Sequence, residues 1–187
     1  GLNSPSYIDC RKIISYPRVR NSLMNFLSSL ILQEVGFEKL SCVAGGETAG
    51  IPFSAMISER LSLPMAYVRK KPKGYGKNSK IEGCISKNDN VILIEDLTTD
   101  GASKLDFIDT IRATGASCNH TAVIFYYNIF ENIEEKLLEN KIKLHYLTDW
   151  KEILAQAKAY NFFNNATLCE VEAFLEDPSG WSNKNCS

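Results

Sequence analysis

The stretch Val91-Ile92-Leu93-Ile94-Glu95-Asp96-Leu97-Thr98-Thr99-Asp100-Gly101-Ala102-Ser103 constrains this chain more than any other. Its opening run of branched apolar residues, 91–94, reads as a strand covered on both faces. Such a strand belongs in a sheet with helices above and below it. Two carboxylates follow at the strand's carboxyl end, then a polar turn, then a helical pattern through Phe107, Ile108 and Ile111. Strand, tight polar turn and helix is how an open α/β sheet builds an anion site, because turn N–H groups and the helix N-terminus converge. Gly101 lets the backbone approach a ligand closely, and Thr98, Thr99 and Ser103 add hydroxyl donors. The stretch is neither a Gly-x-x-x-x-Gly-Lys-Ser/Thr loop nor a Gly-x-Gly-x-x-Gly fingerprint.

The acidic pair sets the turn apart. Two carboxylates beside a phosphate repel it unless sugar hydroxyls or a Mg²⁺ ion lie between. A ribose 5-phosphate meets that condition, with its hydroxyls on Glu95 and Asp96 and its phosphate in the turn. The competing reading is an ordinary strand-to-helix connection with Asp and Thr as turn formers.

Two further stretches repeat the theme. Leu40 to Ala44 reads as a short strand, followed by Gly45-Gly46-Glu47-Thr48-Ala49-Gly50 and a helix from about Ile51 to Leu61. Glycines at this density allow close ligand approach, or simply a tight turn. Met65 to Arg69 reads as another strand. It runs into a segment, 69–80, with six basic residues (Arg69, Lys70, Lys71, Lys73, Lys77, Lys80) and no acid. Pro72, Gly74 and Gly76 forbid a regular element, so a mobile loop is expected over about 70–80. Such charge runs are usually solvated faces. In a chain of net charge -1, so local a cluster points instead to an anion that the loop closes over.

The same net charge argues against a nucleic-acid partner. At 187 residues, 44% hydrophobic and 23% charged, the chain is expected to form a single domain, 1–187, with a sizeable core. Its apolar runs are far short of a membrane span, and no signal peptide is visible. Cysteines at 10, 42, 84, 118, 169 and 186 make no Cys-x-x-Cys, and His120 and His145 complete no zinc pattern. Cys42 and Cys118 lie in apolar segments and read as buried thiols, so a cytoplasmic location is expected. The chain begins at Gly1 rather than Met, as a trimmed or partial copy would.

Apolar strand, acidic pair and Thr-x-Gly-x-Ser together resemble the phosphoribosyl-pyrophosphate signature of type I phosphoribosyltransferases. The basic segment Tyr67-Val68-Arg69-Lys70-x-x-Lys73-x-Tyr75-Gly76 resembles, more narrowly, the catalytic loop of orotate phosphoribosyltransferases. Ser4-Pro5-x-Tyr7-x-Asp9 is similar to the segment that holds the base in those enzymes. Gly45 to Gly50 resembles their pyrophosphate turn. The resemblance implies an α/β fold: a central, mostly parallel sheet with helices on both faces and a small N-terminal hood that this chain carries incompletely. It implies transfer of the phosphoribosyl group to orotate, giving orotidine 5'-phosphate and pyrophosphate in pyrimidine biosynthesis. Lys73, helped by Arg69 and Lys70, would neutralise the leaving group. Glu95 and Asp96 would hold the ribose hydroxyls and stabilise the developing cation. Thr98, Thr99, Asp100, Gly101, Ala102 and Ser103 would hold the 5'-phosphate, with the Asp100 carboxylate turned away from it. Glu47 and Thr48 would meet pyrophosphate, and Tyr7 the base. Tyr75 would donate a hydrogen bond; a phenol with a pKa of about 10 is a poor base at neutral pH. Mg²⁺ would be bound mainly through the substrate's pyrophosphate, with no metal ligand assigned to the protein. A homodimer sharing the basic loop is implied too.

The chain departs from the pattern in several places, among them Tyr75, where many members have His, and Asp100, where relatives often have a small neutral residue. No basic residue precedes Gly1, Ala49 stands where some members have lysine, and 126–130 reads Tyr-Tyr-Asn-Ile-Phe where many have an Asp-Arg pair. A phosphoribosyltransferase for another base, a non-catalytic phosphoribosyl-pyrophosphate sensor and a generic nucleotide-binding domain are the alternatives. Elsewhere, apolar spacing predicts a helix over 17–35 with Val19, Leu23, Phe26, Leu27, Leu30 and Ile31 on its inner face. Strands are expected at 81–83, 120–127 and 143–147, and helices at 103–114, 133–138, 149–159 and 167–175. A capping box at Thr167 and Glu170, a stop at Pro178 and a loose tail over 180–187 complete the expectation.

Overall fold

The computed structural model describes residues 3–72, 80–99, 101–129 and 133–185. The elements run α1 (Pro17–Glu34), β1 (Cys42–Gly46), α2 (Gly50–Leu61), β2 (Met65–Val68), β3 (Ile81–Glu82), β4 (Asn90–Thr98), α3 (Ala102–Arg112), β5 (Ser117–Tyr126), α4 (Ile133–Glu139), β6 (Lys143–Asp149), α5 (Trp150–Ala159), α6 (Asn165–Glu176) and α7 (Pro178–Lys184). The strands form one six-stranded sheet in the order β3-β2-β1-β4-β5-β6. All neighbours are parallel except β2 and β3. The chain moves outward from β1 to one edge, returns to β4 beside it, and then moves outward to the other edge. The crevice between β1 and β4 is therefore the place where connections diverge to opposite faces, where open α/β sheets bind ligands.

Helices cover both faces. Met24, Leu27 and Ile31 of α1 and Phe53, Ile57 and Leu61 of α2 pack with Val43, Ile92 and Ile94. Phe107, Ile108 and Ile111 of α3 and Ile133 and Leu137 of α4 pack with Ala44, Val91 and Leu93 on the other side. Alternate residues of β4 thus serve opposite layers, as the two-residue period of a strand requires. A third cluster joins the two ends of the chain. Cys10 meets Phe125, Trp150 of α5 and Val171 of α6. The backbone N–H of Asn3 donates to Ser182 Oγ of α7 at 2.9 Å.

Several expectations need correction. The strand carrying the acidic pair does not stop at Ile94. It continues through Glu95, which pairs in register with Val123, to Thr98, which pairs with Tyr126. β1 likewise extends through Gly45 and Gly46, so these glycines end a buried strand rather than forming the turn. The segment before Tyr16, for which no regular element was expected above, contains a 3₁₀ helix, Cys10–Ser15. In α1 the buried stripe is Met24, Leu27, Ser28 and Ile31, whereas Val19 and Phe26 are exposed. Thr167 is not a cap: the Asn164 side chain accepts from the Thr167 backbone N–H and starts α6 earlier. Pro178 does mark the end of the preceding helix, since α6 stops at Glu176. It also opens α7, whose first turn Asp177 caps, and Trp181 packs edge-on against Phe174. Proline suits both the position just past one helix and the first residue of another, and Pro178 serves as both.

Candidate active site at the carboxyl edge of the sheet

Three strands aim their carboxyl ends at one cleft of about 290 Å³. β1 contributes Glu47, Thr48 and Ala49; the end of β2 contributes Lys70; β4 contributes Glu95, Asp96 and Leu97. Ser103 and Phe107 of α3 close one side, and Tyr7, Ile8 and Arg11 of the N-terminal segment close the other. The sequence-predicted residues Tyr7, Glu47, Thr48, Lys70, Glu95, Asp96 and Ser103 are therefore brought together. Gly101 sits at the start of α3 with a φ of 71°, a left-handed conformation that glycine takes without strain. Thr98 is 1% exposed beneath the turn, and Thr99 follows β4 directly. Ala102 is the first residue of α3. Arg69 does not line the cleft. Its guanidinium lies 3.6 Å from Glu82 on β3 and also donates to the Lys71 carbonyl. Lys73, Tyr75 and Asp100, with the rest of the basic loop 73–79, lie outside the described residues.

Because β4 continues through the acidic pair, Glu95 and Asp96 point to opposite faces of the sheet and then converge on the cleft at its rim. Glu95 lies on the α3 side. A Cβ on Gly46 would overlap both its carboxylate and the Phe107 ring, so the glycine is what makes room for it. At 7% exposure, burial pushes the Glu95 carboxyl up to about 7; Lys104 pulls it down, and Asp96 adds to the rise. Its Oε1 has no hydrogen-bond partner among the described residues, and neither has the buried Oγ1 of Thr98. Buried polar atoms are ordinarily satisfied, so two unsatisfied ones at the same strand end are what a ligand-binding rim leaves open.

Sequence reading missed two cations. Lys104, in the first turn of α3, is 2% exposed and donates to the Leu97 carbonyl at 2.6 Å. It is the largest positive influence on Glu95. Nothing in its sequence position distinguishes it from a surface lysine of an amphipathic helix. Arg11 donates to the Tyr7 hydroxyl at 2.6 Å and lies 3.5 Å from Asp9. Tyr7, then Asp9 and Asp96, hold its guanidinium above the usual range. Arg11 lies in the 3₁₀ helix Cys10–Ser15 and Tyr7 in the irregular segment before it, so no regular period in the sequence pairs the two side chains.

Mg²⁺ keeps much of its water shell and takes one or two carboxylates together with substrate phosphates. Among the described residues no group of three or more His, Cys, Asp or Glu could hold a metal. Glu95 Oε1 is unpaired and Asp96 stands beside it in the lining of the cleft, so two carboxylates are available there.

No family model matches the chain. A curated orotate phosphoribosyltransferase of Ruegeria sp. is 57% identical over 185 residues, spanning 99% of this chain and 82% of that protein. The crystal structure of an orotate phosphoribosyltransferase from Aeropyrum pernix superposes with a TM-score of 0.72 at 28% identity, over 81% of this chain and 83% of that one. Leishmania donovani UMP synthase shares the fold, with a TM-score of 0.77 at 24% identity over 91% of this chain and 36% of that one. Among the described residues no helix is long and apolar enough to cross a membrane. Identity of this degree along nearly the whole chain, on the same mostly parallel sheet, places the protein in the orotate phosphoribosyltransferase family.

Proposed function

We propose that the β1/β4 cleft transfers the phosphoribosyl group of phosphoribosyl pyrophosphate to orotate, releasing orotidine 5'-phosphate and pyrophosphate. The observation that carries the residue assignment is the pair of buried acids at the cleft rim beside an unsatisfied threonine hydroxyl. Breaking the anomeric C–O bond leaves positive charge on the sugar and negative charge on the departing pyrophosphate. Catalysis therefore rests on holding charges in place rather than on a protein nucleophile. Glu95 and Asp96 accept hydrogen bonds from the ribose hydroxyls and stabilise the developing cation. The turn from Thr98 to Ser103 holds the 5'-phosphate with backbone N–H groups and hydroxyls. Glu47, whose Oε2 accepts from the Lys70 backbone N–H at 2.7 Å, fixes the β1 turn against the end of β2. Lys70 is thereby kept beside Thr48, where pyrophosphate departs. Lys73 joins it by the sequence resemblance.

Mg²⁺, bound through the pyrophosphate with Glu95 and Asp96 nearby, would offset the leaving group's charge. The exposed apolar side of α1, with Val19 at 53% and Phe26 at 62%, supports a homodimer, because apolar surface of this kind is what subunit contacts cover. Buried thiols, with Cys42 pushed by burial up to about 11 and Cys118 to about 12, support residence in a reducing cytoplasm.

The test is the loss of orotate absorbance on adding phosphoribosyl pyrophosphate and Mg²⁺, run beside uracil, hypoxanthine and adenine. Turnover of orotate alone is expected. Preference for another base would overturn the assignment. Lys73→Ala separates an enzyme from a sensor: turnover should fall by about 10²-fold or more, while a sensor would keep its behaviour unchanged.

A further inference from the structure

The cleft holds three acids, Glu47, Glu95 and Asp96, and two cations among its described lining residues, Arg11 and Lys70. These cations stand on different walls. Lys70 follows β2 and is tied through its backbone to Glu47. Arg11 belongs to the N-terminal segment, whose Cys10 packs with Phe125 of β5 and Trp150. The two walls correspond to the two groups exchanged at the sugar's anomeric carbon. A base displacing pyrophosphate enters from the face opposite the leaving group. If pyrophosphate departs toward Thr48 and Lys70, the base comes in against Tyr7, Ile8 and Arg11.

That wall suits a planar anionic ring. Tyr7 is 69% exposed and offers its ring, Ile8 supplies an apolar side, and Arg11 supplies charge. A carboxylated base next to Asp96 must have its own charge offset, or the two anions repel across a partly desolvated cleft. The Arg11 guanidinium is already oriented: Nη2 donates to Tyr7 and Nε lies beside Asp9. Nη1 makes no hydrogen bond among the described residues. A planar fork held at one end is pre-organised to take a carboxylate at the other. Asn128, two residues past β5, carries no charge, and its side-chain amide donates to Asp149 at 3.1 Å.

Resting on the reading of this cleft as the transfer site, we propose that Arg11, braced by Tyr7, binds the carboxylate of the incoming base and so sets the preference for a carboxylated pyrimidine. It acts on the base and not on the activated sugar.

Steady-state kinetics of wild type, Arg11→Gln, Arg11→Lys and Tyr7→Phe, with each substrate varied, read the role directly. For Arg11→Gln the KM for orotate is expected to rise roughly 10- to 100-fold, the scale of one charged hydrogen-bonding group. The KM for phosphoribosyl pyrophosphate stays within about twofold, being set at the other wall. Arg11→Lys recovers part of the loss, and Tyr7→Phe gives a smaller rise of the same kind. Inhibition by uracil, which lacks the carboxylate, is unchanged, so the gap between orotate and uracil narrows. An unchanged KM for orotate, a parallel rise for phosphoribosyl pyrophosphate, or an unchanged gap would each overturn the proposal. Wild-type protein that fails to turn over orotate at all would instead remove the reading of the cleft on which it rests.

Discussion

The two ends of the sheet bury ionisable groups in opposite ways. At the carboxyl end, Glu95 is 7% exposed and keeps an unpaired oxygen. Toward the amino end, His145 of β6 is equally inaccessible, but its Nε2 lies 3.0 Å from His120 Nδ1 on β5, and the rings stack. Beside this pair Lys143 bridges to Glu34 of α1 at 2.6 Å. One end satisfies its buried polar atoms internally, and the other leaves them for something from outside. Partnered burial fixes the fold. Unpartnered burial costs stability and is kept where a ligand completes it.

Removing the carboxylates breaks the comparison most strongly. Glu95→Gln with Asp96→Asn is expected to lower kcat by about 10³-fold, near 4 kcal/mol, on the scale of lost preorganised charge. Unfolding stability at pH 7 should not fall, since a strained charge has been removed. His145→Gln should do the reverse, lowering the unfolding midpoint in urea while leaving kcat unchanged. Activity loss in the histidine variant would erase the distinction between the ends.

Acid titration sharpens it. Burial, then the neighbouring His120 and Lys143, push His145 down to about 4, so its folded form prefers to be neutral. Its contribution is complete above the unfolded value of about 6.5 and is lost as pH falls toward about 4, on the order of 3 kcal/mol. His120 is shifted downward as well, by burial and then by Lys143 and Lys39. Glu95 runs the other way. Its folded carboxyl, raised to about 7, binds its proton more tightly than the unfolded chain, so acidification from about pH 7 to 4.5 stabilises the protein by a similar amount. The two ends oppose each other in wild type. Urea unfolding between pH 7 and pH 4 should therefore show a steeper acid loss in Glu95→Gln than in wild type, and a shallower one in His145→Gln. Parallel curves for all three proteins would show that neither group is linked to folding.

The smallest effect concerns Lys104. As the leading positive influence on Glu95, it holds the ionised carboxylate available. Lys104→Met should move the acid limb of the kcat/KM profile upward by about one pH unit, roughly 1.4 kcal/mol. Asp96→Asn should move what activity remains in the opposite direction. A limb that stays in place in both variants would detach Glu95 from that ionisation.

Much of the site was legible because it follows from local chemistry. A branched apolar run, an acidic pair and a glycine turn before a helix can be read one residue after another, and their order along the chain pointed to the cleft and to the family. Glu47 and Thr48, named through the resemblance of their glycine turn, and Ser103, named from its turn, line the same cleft. What escaped depends on neighbours distant in sequence. That β4 continues past Ile94, sending Glu95 and Asp96 to opposite faces, is decided by pairing with Val123 and Tyr126 on β5. Lys104 looks like any exposed helical lysine until β4 places the Leu97 carbonyl over it. Asn164 displaced Thr167 as a cap, and the tail became a helix, because α6 and α7 found each other and Asn3.

The sequence by itself determined a parallel α/β sheet and the chemical character of its central turn, since periodicity and side-chain type are local properties. Only the tertiary structure decided which cation stands at which wall, which acid is strained and which histidine is satisfied. Those outcomes depend on burial and on the distance between groups far apart in the chain, and no local pattern encodes either.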